Sequence, residues 1–260
     1  MNIIVCIKQV PDTNEVKLDP KTGTLIRDGV PSIINPDDKS GIEAALRLKE
    51  LHGAHVTALS MGPPQADAAL REALAMGVDR AILLSDRAFG GADTWATSTT
   101  LAAAIQKLEY DLIITGRQAI DGDTAQVGPQ IAERLNLPQV SYVQELQLEE
   151  SSLILKRMYE EGYHRIKVTL PCLITTLQEM NEPRYMRIGG VFDAYRKATV
   201  ELMTLADLEV NQEHIGLNGS PTKVKKSFTK GVKSAGKVYE LAPKEAADLI
   251  VEKMKEKFII

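Results

Sequence analysis

Aromatic residues are scarce, at 5% of 260 residues with one Trp and four Phe, so a base-stacking platform for single-stranded nucleic acid is excluded. Cysteine is scarcer. Cys6 and Cys172 are the two in the chain; each sits in an apolar run, which fits reduced, buried thiols and rules out a disulfide framework. His52, His55, His164 and His214 show no ligand spacing with one another or with the cysteines, so no metal is expected. Charge of one sign is not in excess. Against 31 Lys and Arg stand 35 Asp and Glu, a net charge of −4, too little to draw the chain to nucleic acid or a membrane surface. No apolar run reaches membrane-spanning length. The N-terminal stretch Asn2 to Ile7 is too short and has no basic lead-in to be a signal peptide, so a cytoplasmic protein is expected, with a first strand at its start. Walker A, G-x-G-x-x-G and Ser or Cys nucleophile motifs are all absent, and no side chain is expected to act as a nucleophile.

What is present is an alternation. Short, β-branched runs at Ile3 to Lys8, His55 to Ser60, Arg80 to Leu84 and Leu112 to Thr115 lack polar alternation, as strands buried on both faces do. Amphipathic stretches separate them, the pattern of a parallel sheet wrapped by helices. An excursion from Gln9 to Ile34, with a turn at 19–23, interrupts the series. The first helix opens at Asn35-Pro36-Asp37-Asp38 with a capping residue, a first-position proline and first-turn acids. Further helices are expected at Gln65 to Met76, after Asp93, and at Thr124 to Leu135. After Pro138 the segments Val140 to Leu148, Leu153 to Tyr159, Tyr163 to Thr169 and Cys172 to Leu177 read as extended, some forming hairpins. From Asn181 onward the helical periodicity is poor until Pro243 to Phe258; 1–189 is read as an α/β domain and 190–260 as an arm that packs on a partner.

The stretch Gly116 to Gln130 follows a buried strand and opens a helix, where an open α/β sheet binds its ligand. Its glycines permit close backbone approach, and free amides at a helix start hold phosphate oxygens. Two readings stand on the residues alone. In one the loop takes a pyrophosphate; in the other Asp123 or Thr124 merely caps the next helix. Asp121 and Asp123 weigh against the first unless their carboxylates turn away from the phosphate.

Several strings together resemble the beta subunit of electron-transfer flavoproteins over nearly the whole chain. They are Val5-Cys6-Ile7-Lys8-Gln9-Val10-Pro11-Asp12, Asn35-Pro36, Ala73-Leu74-Ala75-Met76-Gly77, Gly116 to Pro129, and Asn181-Glu182-Pro183-Arg184-Tyr185. The resemblance implies a doubly wound, Rossmann-like, mostly parallel α/β fold of the adenine-nucleotide-binding type. By position, it implies cofactor contacts at Cys6, Asn35, Asp38, Met61, Gly116, Gln118, Ala119, Ile120, Asp121, Gly122, Thr124, Ala125, Gln126 and Val127. For Cys6 and Met61, core packing is compatible with that role.

The loop Asp121 to Pro129, and Ser85 to Thr94 with Thr97, are similar to the electron-bifurcating branch, which holds FAD where the other branch holds AMP. That resemblance adds Arg87, Asp93, Thr94 and Thr97 near the flavin. Arg87 would favour a reduced, anionic flavin, or is an ordinary solvated arginine; Asp93 reads better as a helix cap than as a base. The implied partners are an alpha subunit carrying a second FAD, NADH as donor, ferredoxin or flavodoxin, and an acyl-CoA dehydrogenase-like or other flavin dehydrogenase. The subunit is then a redox carrier, with enzyme status belonging to the complex. Arg184, Tyr185, Met186 and Ile188 lie in the implied docking segment, with internal packing of Met186 and Ile188 as the alternative. Two rivals remain: a carrier of the same family that holds AMP, and a universal-stress-like nucleotide sensor.

Overall fold

The computed structural model describes residues 1–12, 31–223 and 236–260. Apolar runs become strands wherever they can be buried on both sides. β1 (Asn2–Cys6), β4 (His55–Met61), β5 (Arg80–Leu84), β6 (Leu112–Gly116) and β10 (Cys172–Thr176) form the middle of the main sheet. That sheet has nine strands, in the order β11, β5, β4, β1, β6, β10, β7, β8, β9. β11 is Val200–Met203, β7 Gln139–Glu149, β8 Ser152–Tyr159 and β9 Gly162–Thr169. Pairing is parallel from β11 through β7 and antiparallel from β7 to β9, where two tight turns close the hairpins expected after Pro138. β2 (Gln9–Pro11) and β3 (Ser32–Ile34) pair antiparallel at the two ends of the expected excursion, whose turn at 19–23 lies outside the described residues.

Two cores sandwich the sheet. On one face Ile3, Val5, Val56, Ala58, Leu112 and Ile114 pack under α1 (Pro36–His52) and α2 (Asp67–Met76). On the other, Ile4, Leu59, Ile82, Ile113 and Leu173 pack under α3 (Thr94–Ile105) and α4 (Val127–Arg134). The alternation along β1 that sends Ile3 and Val5 one way and Ile4 and Cys6 the other is the strand pleat itself. The sheet is thus doubly wound, and the chain reverses direction across β1: β4 and β5 lie on one side of it, β6 and β10 on the other.

Three features differ from expectation. α4 begins at Val127 rather than at Thr124, because Asp123 and Ala125 adopt left-handed backbone, with φ of 47° and 52°, which no right-handed helix accommodates. Residues 188–196, read from sequence as irregular, form α5 (Ile188–Arg196) against α2. The two helices meet closely enough that a Cβ on Gly190 would stand 2.5 Å from the Ala75 carbonyl oxygen.

The boundary at 189 is also too early. β11 extends the sheet beyond it, and Ile215 joins the core beneath α3, because Val200 to Met203 completes a parallel pair with β5 that would otherwise be an open edge. The chain divides instead into residues 1–227 and 228–260. In the second unit, α6 (Pro243–Glu256) carries Ile250 and Val251 exposed and buries no residue.

Candidate functional site

The C-terminal ends of β1 and β6 flank the point where the strand order reverses, which is where an open α/β sheet leaves a crevice for a ligand. The loop from Gly116 to Gln126 lines one side of it. Asn35 stands at the start of α1, but its side chain caps nothing there. Instead its Nδ2 donates to the Gln118 carbonyl at 2.8 Å, and its Oδ1 accepts from the Ile120 amide at 3.0 Å. Asp38 accepts from the Gly116 amide through Oδ1 at 2.9 Å and from the Lys8 amide through Oδ2 at 2.8 Å. Asp37 accepts from the Gln178 amide at 2.9 Å and lies 3.4 Å from Arg117 Nε. The first turn of α1 therefore pins the ends of β1, β6 and β10 together rather than serving the helix.

Burial drives Asp38 up to about 7 against the pull of the Lys8 amide, Asn35 and the Gly116 amide, with Asp37 adding to the rise. A raised folded value means that Asp38 stabilises the fold below its ordinary range and that this contribution is lost as pH rises through about 7. Between pH 6 and 8 the loss amounts to about 1 kcal/mol. Urea titrations across that range should show the decline in the wild type, and Asp38→Asn should flatten it. Burial likewise pushes the Cys6 thiol up to about 12, aided by Asp38, so Cys6 is an inert packing group at the end of β1.

Neither Asp123 nor Thr124 caps α4. Gln126 stands at the cap position without making a cap bond, and its Oε1 accepts from the Thr94 hydroxyl at 2.7 Å, drawing the start of α3 to the loop. The amides of Ala119, Asp121, Thr124, Ala125, Gln126 and Val127 meet no acceptor among the described residues. Gly122 and Asp123 turn their amides onto the Ala119 carbonyl, which folds the loop tip. The acids that argue against a phosphate are both engaged: Asp121 by Lys8 Nζ at 2.7 and 2.9 Å, and Asp123 by Gln118 Nε2 at 3.1 Å. Two left-handed non-glycine residues within three positions add strain of about 1 kcal/mol each, held by the surrounding network. The donor set of this loop fits a diphosphate.

The other expected positions divide. Met61 ends β4 and packs on the α3 and α4 side. Asp93 caps α3 through Oδ1 on the Ala96 amide at 3.0 Å, and its Oδ2 accepts from the Thr222 amide and hydroxyl. Thr97 is half-buried on α3, one turn from Asp93. Arg87 is exposed in a short 3₁₀ turn after β5 and, among the described residues, makes no hydrogen bond to the loop.

Tyr185 and Ile188 are 95% and 92% exposed, and Met186 is exposed as well, so internal packing of Met186 and Ile188 is excluded. Arg184 is turned inward: Nε and Nη2 hold Glu43 at 2.8 and 3.0 Å, and Nη1 holds Glu50 at 2.5 Å. Burial raises Glu43, and the hydrogen bonds and charge of Arg184, with Arg47, outweigh it and leave the carboxyl below its usual range. Arg184→Ala strands that buried carboxylate with Arg47 alone and should cost about 3 kcal/mol. Chemical denaturation should show the loss, and Glu43→Gln in the same chain should recover part of it. Phe192 and Tyr195 extend the exposed patch and lie outside the residues that sequence reasoning picked out. A signal for them exists, since Ile188, Phe192 and Tyr195 follow i, i+4, i+7 spacing.

A doubly wound sheet with this loop at its switch point defines an α/β protein of the nucleotide-binding class. A family model described as electron transfer flavoprotein domain matches residues 22–208. The electron transfer flavoprotein subunit beta of Clostridium acetobutylicum is 58% identical over 260 residues, covering 100% of both chains. The caffeyl-CoA reductase-Etf complex subunit CarD of Acetobacterium woodii is 55% identical over 263 residues, again 100% of both. The acryloyl-CoA reductase electron transfer subunit gamma of Anaerotignum propionicum is 48% identical over 268 residues, with 100% of both covered. The chain belongs to the electron transfer flavoprotein family, among its beta subunits. That membership removes the universal-stress-like reading, and no helix among the described residues is long and apolar enough to cross a membrane.

Proposed function

We propose that this chain holds FAD rather than AMP and serves the electron-bifurcating form of the complex. The observation that carries the reading is the run of amides from Ala119 to Val127 without an acceptor among the described residues, held open by Asn35 and Asp38. Amides of that kind suit a diphosphate bridge, which FAD has and AMP lacks. Gly122, beside which a Cβ would meet nothing within 4 Å, leaves room at the loop tip. Cys6, Met61 and Asp38 line the adenosine end, and Thr94, Thr97 and the Asp93 cap stand on the side toward the flavin.

When bound, FAD would supply the redox chemistry: a hydride taken from NADH, with one electron sent on to ferredoxin or flavodoxin and the other through the alpha-subunit FAD to a partner reductase. The protein's share is to bind, orient and tune. Arg87, exposed after β5, is the cation available to favour the anionic reduced state. No side chain serves as a nucleophile, and the chain is a redox carrier working in the cytoplasm. The names of the relatives from Acetobacterium woodii and Anaerotignum propionicum support a reductase of CoA thioesters as the partner.

The exposed Tyr185, Met186, Ile188, Phe192 and Tyr195 form the docking face for that partner, positioned from behind by Arg184. α6, with Ile250 and Val251 unburied, packs on the alpha subunit. Co-expression with the alpha subunit and a count of cofactors per heterodimer tests the reading. Two FAD are expected. One FAD with one AMP would replace it by the non-bifurcating carrier.

A further inference from the structure

The floor of the crevice is acidic. Asp37 and Asp38 border the Gly116 loop and Asp121 and Asp123 belong to it, while the bases that meet them among the described residues are Arg117, on Asp37, and Lys8, on Asp121. A site of that charge repels an anionic ligand unless each carboxylate is answered. Asp121 lies within the run of loop amides that meet no acceptor among the described residues, and its side chain is 11% exposed, so little water screens it. Lys8 answers it with both oxygens engaged, at 2.7 and 2.9 Å. Lys8 is itself held from behind, since its amide donates to Asp38 at 2.8 Å. Two residues past the end of β1, it thus ties together the first turn of α1 and the tip of the β6–α4 loop.

From this geometry we infer that Lys8 is a positioning and charge-compensating residue for the nucleotide: it neutralises Asp121 across the crevice and so makes an acidic loop tolerant of a diphosphate. The inference rests on the nucleotide reading of this loop and assigns a role to a residue that the resemblance did not include among the contacts. If Lys8 acts by silencing Asp121, then removing Lys8 exposes a carboxylate to the phosphates, and removing both groups costs little. A residue that only braces the loop would behave otherwise, because losing both ends of the brace is no better than losing one.

The test uses the full chain in its heterodimer with the alpha subunit, stripped of adenine nucleotide and titrated calorimetrically with FAD and, separately, with AMP. Lys8→Gln should weaken binding by about tenfold or more, and the deficit should shrink as salt is raised. Lys8→Gln with Asp121→Asn should return to within about threefold of the wild type, the size of residual coupling that near neighbours leave. Lys8→Arg keeps the charge and should bind much as the wild type does, which gives a folded comparison if Lys8→Gln is poorly soluble. Unchanged binding in Lys8→Gln, or a double variant as weak as the single one, would overturn the inference while leaving the nucleotide reading intact. A wild-type heterodimer that takes up no nucleotide at this subunit would overturn both.

Discussion

Gly116→Ala should be the most damaging single methyl group in the β6–α4 loop. A Cβ there would stand 2.2 Å from Asp38 Oδ1, 2.8 Å from Asp37 Cβ and 2.9 Å from the Asp38 amide nitrogen. None of these atoms is the free end of a flexible side chain, because Asp38 is tied to the amides of Lys8 and Gly116 and Asp37 to that of Gln178. Relief requires β6 and α1 to separate, which breaks the bonds that aim the loop. Overpacking of this kind costs about 3 kcal/mol. The purified variant should therefore unfold at lower denaturant and carry less than about a tenth of the wild-type adenine nucleotide. Equal nucleotide content in the two proteins would show that the loop is not the seat of the cofactor.

Asn35→Ala is expected to come second. The side chain is fully buried and makes two bonds to a loop it does not belong to, at Gln118 and Ile120. Truncation leaves the Gln118 carbonyl and the Ile120 amide without these partners. Unsatisfied groups of this kind cost about 1–3 kcal/mol each, less whatever water returns. Asn35→Asp should be no better, since a carboxylate oxygen would face the Gln118 carbonyl. Hydrogen exchange reads the result locally: the bonded loop amides of Ile120, Gly122 and Asp123 should lose protection in Asn35→Ala, whereas those of β5 should not. A uniform loss across the sheet would mean that Asn35 serves the core rather than the loop.

These two residues also mark what can be read from an amino-acid string. The parallel strands are legible because burial on both faces leaves an unbroken apolar run, as in β1, β5 and the stretch from Leu112 to Ile114. The helix start at Asn35-Pro36-Asp37-Asp38 is legible too, but the capping role it suggests for Asn35 is not the one the side chain plays. A polar residue before a helix satisfies the helix or a neighbour, and only tertiary structure decides which. Here the neighbour wins because the Gly116 loop passes directly over the first turn of α1.

The candidate site shows the same division. Position along the sheet identifies the loop, but of the two left-handed residues that keep it out of α4 only Asp123 is of a type that favours that region, and Ala125 carries no local signal. Lys8 is visible only as part of a string, because its partner lies far along the chain. At the other end, β11 is hidden by its four-residue length and its exposure. An edge strand with exposed Glu201 and Leu202 has no periodic burial to betray it, and only its pairing with β5 defines it.

We propose that a diphosphate is gripped by the backbone of the β6–α4 loop. Crystals of the heterodimer grown with its co-purified cofactor measure this directly. The diphosphate oxygens should lie within hydrogen-bond reach of amides between Ala119 and Val127, with Lys8 still on Asp121. A loop folded onto its own side chains, or a nucleotide bound away from it, would contradict the account.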